Sequence, residues 1–348
     1  MLRLPQFQLV QPRTIREAAA VLAGEGAHEG QPVRLVAGGT DLWPNLKRRH
    51  QKAGTVVSLM GIPELSGIDV NGDIRLGATS LLEDVARHAA VRERYPALAN
   101  AVASISSPPL RHMGTIGGNV CVDTRCTYYN QTEDWRRSIS YCMKEEGEIC
   151  WVATSSPRCW AHTASDSAPM LCALDAEVKL VSQEGDRLVP IESLYRDDGI
   201  QYLAKRPDEI LTAVHVPAES TVEHCRSAFW KLRRRGSIDF AVLSAAVALW
   251  TDPAGVVTRA RIYLGAVASS PMAVPEAAAL LEGKPLTPEI IAAAAQLTRK
   301  VATPMDNTDF QAQWRGAMVQ KYTEAALREA AGLEVERLAP KAPIGPGR

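Results

Sequence analysis

Residues Val33 to Lys47 read "VRLVAGGTDLWPNLK". The apolar run from Arg34 to Ala37 predicts a short buried strand, which breaks at Gly38-Gly39 and turns into the polar pair Thr40-Asp41. Glycine lacks a Cβ, so a Gly-Gly pair at a strand end lets backbone N–H groups approach an anion, and small polar residues behind it add hydrogen bonds. The design recurs in "RHMGTIGGNV", Arg111 to Val120, where Gly117-Gly118 precede Asn119. Two such turns in one chain suggest a dinucleotide whose pyrophosphate is gripped from both sides. Neither matches G-x-G-x-x-G, so a Rossmann site is not supported. Two tight turns with no ligand fit the same residues.

Outward from the first turn, strand and helix alternate. "TIREAAAVLAGEG" places Thr14 and Glu17 at capping-box spacing, with an apolar face through Ile15, Ala18, Ala19 and Leu22 and a stop at Gly24 or Gly26. A second strand is expected at Thr55 to Leu59. "DIRLGATSLLEDVARH" predicts strand, glycine turn and helix, with Ser80 and Glu83 again at capping-box spacing. A helix from Pro96 to Ile105 ends at Ser106-Ser107-Pro108-Pro109. "SDSAPMLCALDAEVKLVSQEGDRLVPIESL" restores strand character, with a hairpin turn at Glu184-Gly185. Strands follow at Asp239 to Leu249 and Thr258 to Val267, then a helix opened by Thr287-Pro288 and a long amphipathic helix from Thr308 to Ala331. The tail after Gly332 is rich in Pro and Gly and is expected to be loose.

At 348 residues and 46% hydrophobic side chains, the chain can bury two or three domain cores. Lys plus Arg equals Asp plus Glu, 39 of each, so no charge excess argues for nucleic acid or an acidic membrane face. The start "MLRLPQFQLVQPRT" has no apolar leader, and no run approaches the roughly 18 apolar residues that cross a bilayer. A cytoplasmic protein with no membrane partner is expected.

Five of the seven cysteines, Cys121, Cys126, Cys142, Cys150 and Cys159, lie between positions 121 and 159. In a reducing compartment such clustering points to a metal rather than to disulfides. The segment shows no sustained period of 2 or 3.6 and reads as a large excursion. A long loop costs little extra closure entropy, roughly 0.6 kcal/mol per doubling, but it needs apolar support or a staple. Zinc sites favour paired C-x₂₋₄-C knuckles, and the gaps here are 5, 16, 8 and 9 positions. An iron–sulfur cluster accepts ligands from dispersed positions. Both metals stay open on the residues alone. Trp135, Trp151, Trp160, Tyr128, Tyr129 and Tyr141 crowd the same segment, where they either shield a cluster or merely pack the loop. Cys172 and Cys225 lie in apolar strand contexts and read as core. The seven His residues do not cluster, and no Ser/His/Asp or Cys/His constellation appears, so substrate chemistry is not expected from this chain alone.

"RLVAGGTDLWPNLK", "RHMGTIGGN", "ASDSAP", "AFWK" and "DFAVLSAAVAL" stand in the order and rough spacing of the FAD-binding subunits of the xanthine dehydrogenase and molybdenum hydroxylase family, which the chain resembles over essentially its whole length. One departure is visible: His112 and Met113-Gly114 stand where many relatives have Asn and then Ala. The resemblance implies an α+β fold: a vanillyl-alcohol-oxidase (PCMH)-type FAD-binding domain of two α/β subdomains, residues 1–60 and 61–218, then a C-terminal α/β domain of antiparallel strands and helices, 219–332, and a flexible tail, 333–348. It implies FAD contacts from Leu35, Val36, Ala37, Gly38, Gly39, Thr40, Asp41 and Leu42, and from Thr115, Ile116, Gly117, Gly118 and Asn119. It also maps Asp166 to a flavin contact and Leu211 and Lys231 to positions lining the ring. On residue type alone Asp166 also fits a turn residue, and Lys231, in "KLRRRG", a solvated charge.

The insertion at 120–163 is similar to the loop of the β subunits in the 4-hydroxybenzoyl-CoA reductase branch of that family. That loop carries a [4Fe-4S] cluster, and the resemblance makes Cys126, Cys142, Cys150 and Cys159 the ligands, with Cys121 spare. It further implies a complex with a molybdenum-cofactor large subunit and a [2Fe-2S] small subunit. Electrons from ferredoxin would pass through the cluster and FAD to reductive dehydroxylation of 4-hydroxybenzoyl-CoA. Two other readings stand beside it: an oxidising molybdenum hydroxylase subunit passing electrons outward, and a zinc-stapled nucleotide-binding module with no redox activity.

Overall fold

The structure, a computed structural model, describes residues 2–25, 32–336 and 338. Three sheets divide it. The first is parallel, β1 (Gln8–Val10), β2 (Val33–Val36) and β3 (Thr55–Ser58) in the order β1-β3-β2, with α1 (Ile15–Ala20) and α2 (Leu42–Lys47) as its crossovers. Alternation along β3 sends Val57 to a core with Ala18 and Ala19 of α1, and Val56 to a second core with Leu46 of α2. Thr14 caps α1, its Oγ1 accepting from Glu17 N. The expected stop is at Gly24, with φ +115; Gly26 lies outside the described residues.

The middle sheet is antiparallel, in the order β4-β5-β8-β6-β7: β4 (Ile68–Asn71), β5 (Asp73–Gly77), β6 (Glu177–Ser182), β7 (Gly185–Pro190) and β8 (Ile210–Val216). Between β5 and β6 the chain makes α3 (Leu82–Arg87), α4 (Ala89–Arg94), α5 (Pro96–Ala103), α6 (Pro108–Arg111), α7 (Ile116–Val120), α8 (Glu133–Ser138) and α9 (Ser167–Ala173). The last sheet, β9 (Cys225–Leu232), β10 (Leu243–Thr251), β11 (Val257–Gly265) and β12 (Met272–Ala273), is an antiparallel meander. On one side it carries α10 (Pro275–Leu281), α11 (Pro288–Val301) and α12 (Ala312–Ala330). Central β10 is buried on both faces: Ala246 and Ala248 join the middle core, while Ala245, Val247 and Leu249 join the C-terminal one.

Four expectations change. Ser80 does not cap α3; its Oγ donates to Gly67 O, and Glu83 turns instead to Arg87 and Arg111. Ser167–Ala173, read as strand, is a helix buried all round, and a short run apolar on every side carries no period to reveal it. Cys172 is therefore a core residue on a helix. Strand β10 begins at Leu243 rather than Asp239, since Arg235 and Asp239 pair across a loop. Of the tail, Leu333, Val335 and Leu338 pack against the C-terminal core, while 337 and 339–348 lie outside the described residues.

Arg111 Nε donates to Glu83 Oε2 at 2.8 Å, and both side chains are buried. Burial opposes the Glu83 carboxylate, but Arg111 and Arg87 outweigh it and hold its pKa below the ordinary value. Glu83→Gln leaves the Arg111 charge uncompensated and should cost about 3–5 kcal/mol, read as a lower denaturation midpoint. A depressed carboxylate contributes stability above its unfolded pKa. The gap between parent and variant should therefore narrow as pH falls below about 4.3.

Candidate functional site

The two glycine turns meet. A Cβ on Gly38 would overlap the Met113 carbonyl, and one on Gly114 would lie 3.4 Å from Thr40 Oγ1, so the backbones touch because both positions are glycine. Gly39 has φ +71 and packs under Trp43, which excludes any side chain there. Among the described residues, the backbone N–H groups of Gly38, Gly39, Thr40 and Asp41 find no acceptor. Four unspent donors in one turn form a cradle for an anion. The side chains of Leu35 and Val36 are taken up by the two cores of the first sheet, and Leu42 packs beside Val36. The second turn differs from expectation. The N–H groups of Ile116, Gly117, Gly118 and Asn119 donate to Ser80 O, Ala78 O, Thr115 Oγ1 and Thr115 O, so its donors are spent inside the protein. Its glycine at 117 is required because a Cβ would stand 2.7 Å from Ala78.

What the second turn offers is Asn119. Its Oδ1 accepts from Ser165 Oγ and Ser167 Oγ at 3.0 and 2.7 Å and from Ser167 N at 3.2 Å, which fixes the amide and leaves its nitrogen free among the described residues. These two serines flank Asp166. One Asp166 oxygen, Oδ2, takes the Lys231 ammonium at 2.6 Å; the other, Oδ1, is buried with no partner among the described residues. Lys231 also donates to Ser104 O at 3.0 Å, so it is a buried, paired charge and not a solvated one. Burial pushes the Asp166 carboxyl up and the Lys231 ammonium down, each opposed by the attraction of the other. Leu211 is buried on β8 beside the bulge that separates Lys179 from Leu180, and α7 packs on that strand. The donor cradle suits an anionic group, and the fixed amide of Asn119 and the unmatched Asp166 oxygen are polar groups left over for a ligand.

The cysteine excursion is packed, not loose. Cys126, Cys142, Cys150 and Cys159 are all buried, and Cys126, Cys142 and Cys159 share a small core with Tyr129 and Ala161, flanked by Tyr128, Met143, Trp151 and Val152. Burial raises the Cys142 thiol and pushes those of Cys126 and Cys159 up to about 11 and about 12. Cys150 is buried in the same excursion. Cys121 couples to Lys205. The backbone N–H of Ala161 donates to Cys159 Sγ at 3.4 Å. Among the described residues, no group of three or more His, Cys, Asp or Glu side chains is placed to hold a metal ion.

Buried cations hold the excursion to the rest of the chain. Arg136 makes two bonds to Glu145 and a third to Arg48 O. Arg125, next to Cys126, pairs with Asp41 of the first glycine turn, so that carboxylate faces the excursion. At the neck, Arg125 and His162 exchange two backbone bonds of 2.8 Å. Asn307, from the loop before α12, accepts from Thr127 N at 2.8 Å and donates through Nδ2 to Trp160 O at 2.6 Å. It thereby touches the neighbours of the first and the last cysteine of the four. Arg315, buried on α12, bonds the carbonyls of Val242, Ala266 and Met305 and backs Asn307. Ser165 and Ser167 stand in the quoted "ASDSAP" stretch and Arg125 adjoins a cysteine, so their roles had local signals. Asn307 had none.

Residues 5–219 match the family described as FAD binding domain in molybdopterin dehydrogenase, and residues 227–330 match the CO dehydrogenase flavoprotein C-terminal domain. The chain belongs to this family of FAD-binding medium subunits of molybdenum hydroxylase-type dehydrogenases; it is a flavoprotein oxidoreductase subunit. It is 29% identical over 292 residues to the nicotinate dehydrogenase FAD-subunit of Eubacterium barkeri, covering 83% of this chain and 84% of that one. To the aldehyde oxidoreductase FAD-binding subunit PaoB of Escherichia coli K12 it is 31% identical over 259 residues, covering 71% and 79%. The solved carbon monoxide dehydrogenase from Hydrogenophaga pseudoflava superposes with a TM-score of 0.77 at 25% identity, over 95% of this chain and 99% of that chain. FAD binding and redox function replace the zinc-stapled, redox-free module. Among the described residues, no helix is long and apolar enough to cross a membrane.

Asn307→Ala removes the bond to Trp160 O and leaves that carbonyl short of a partner, a local cost of about 1–3 kcal/mol. Limited trypsin digestion should then cut within 120–163 on the order of tenfold faster than in the parent, with the cleavage sites read by mass spectrometry.

Proposed function

We propose that this chain is an electron-relay subunit in which a [4Fe-4S] cluster on Cys126, Cys142, Cys150 and Cys159 works beside the FAD. The observation that carries the reading is the burial of four cysteines in one excursion, three of them in one small core, whose neck is tied, through Arg125 and Asp41, to the first glycine turn. Thiols raised by burial are inert as nucleophiles, and a metal that bound them would displace their protons to solvent and hold them as thiolates. A tetrahedral zinc holds sulfurs at about 2.3 Å, hence about 4 Å from one another. An iron–sulfur cluster accepts thiolates from dispersed positions, which suits the gaps of 16, 8 and 9 residues between these cysteines. In this reading the backbone donors at Gly38 to Asp41 take the FAD pyrophosphate. Thr115 and Asn119 flank it, and Asp166, Leu211 and Lys231 stand at the ring.

When bound, FAD accepts electrons in pairs and releases them singly, while a cluster passes one at a time. The chain's own residues hold the two groups, exclude water through Tyr129, Trp151 and their neighbours, and supply no acid or base for substrate. The partners are then a molybdenum-cofactor large subunit and a [2Fe-2S] small subunit, with ferredoxin as donor and reductive dehydroxylation of 4-hydroxybenzoyl-CoA as the reaction. A second reading reverses the flow, from the molybdenum partner outward through FAD. It is favoured by relatives named as dehydrogenases of nicotinate and xanthine.

Iron, acid-labile sulfide and flavin measured on one oxygen-free sample test the cluster: four iron per FAD is expected, and iron-free protein with full FAD would sink it. Cys150→Ser should lose iron and keep FAD. Redox titration separates the two directions, since a cluster potential well above that of the flavin rules out the inward relay.

A further inference from the structure

Lys144 is buried between the thiol pocket and an acidic partner. Its Nζ donates to Asp123 Oδ1 at 2.7 Å, Thr124 Oγ1 at 2.8 Å and the Gly199 carbonyl at 2.6 Å, which uses all three protons. The ammonium also lies 5.1 and 5.6 Å from the ring centres of Tyr129 and Tyr202. Gly199 is the wall behind Cys159: its N–H donates to Cys159 O, and a Cβ there would stand 2.6 Å from Cys159 Sγ. Lys144 also lies in the turn that opens at Cys142, whose carbonyl accepts from Glu145 N and Gly147 N. One residue thus reaches two of the four cysteines, with its charge facing inward.

The pair is oriented. The ammonium is bonded to the carbonyl of Gly199, the residue that walls Cys159 Sγ, which sets the positive end on the side of the thiols. The second Asp123 oxygen, Oδ2, is turned toward Gln51 at 3.1 Å. Glu145 opposes Lys144 at Cys142, but both Glu145 oxygens are taken by Arg136.

We propose that the Lys144–Asp123 pair is a fixed dipole that sets the reduction potential of the cluster, with its positive end against Cys142 and Cys159. This inference rests on the cluster reading above. Four thiolates around a [4Fe-4S] core make an anion, and one electron taken from an external reduced donor adds one negative charge. A nearby ammonium stabilises the reduced form and raises the potential; the carboxylate behind it does the reverse.

The test is a redox titration of the iron signal by electron paramagnetic resonance on the holo-protein. Lys144→Met should lower the midpoint by at least a tenfold change in the reduction equilibrium, about 59 mV for one electron. Asp123→Asn should raise it, the double variant should return near the parent, and Lys144→Arg should hold the parent value. A merely structural role predicts equal signs or iron loss from both single variants. Either of those outcomes, unmoved potentials, or failure of Lys144→Arg overturns the proposal. Parent protein without iron would instead defeat the cluster reading itself, before any variant is made.

Discussion

Gly38 and Met113 approach so closely that no side chain fits between their backbones. The contact joins the parallel sheet at the start of the chain to the helical segment of the middle domain, and much of the site depends on it. It turns the unspent N–H groups of Gly38 to Asp41 to one side, and it leaves Thr40 against Gly114. Backbone against backbone is a stiff joint, because neither partner has a rotamer to change. A donor cradle built this way meets its ligand already ordered, and little further entropy is lost on binding.

From that joint, polar contacts run in two directions. Asn119 is clamped by Ser165 and Ser167, and the residue between those serines carries both the buried ion pair with Lys231 and an unmatched oxygen. In the other direction Asp41 pairs with Arg125, the residue before Cys126. A buried pair is costly to break and gives geometric precision rather than net stability. Arg125, Arg136, Lys144 and Arg315 act in this way around the excursion, each with its charge satisfied by carboxylates or carbonyls. The insertion is therefore held by directed polar contacts around a small apolar pocket, not by an amphipathic face.

This explains what could be read from the residues and what could not. The glycine turns, the Thr14 and Thr287 caps and the last two helices were legible, because each depends on neighbours within a few positions. Ser80 failed as a cap because its hydroxyl is spent on Gly67 O, while Glu83 pairs with Arg111, 28 positions away. Helix α9 was misread because all its faces are buried. The clustering of the cysteines was plain from their positions. The neck that holds them was hidden, since Asn307 lies 147 positions from Trp160 and carries no local pattern.

Asn307 also sets an order of events in biosynthesis. A ribosome releases Cys126 to Cys159 well before the loop that closes their neck has been made, and domains fold from the N-terminus as they emerge. A chain that ends before Asn307 lacks the contacts to Thr127 N and Trp160 O that tie the two ends of the excursion to the C-terminal domain.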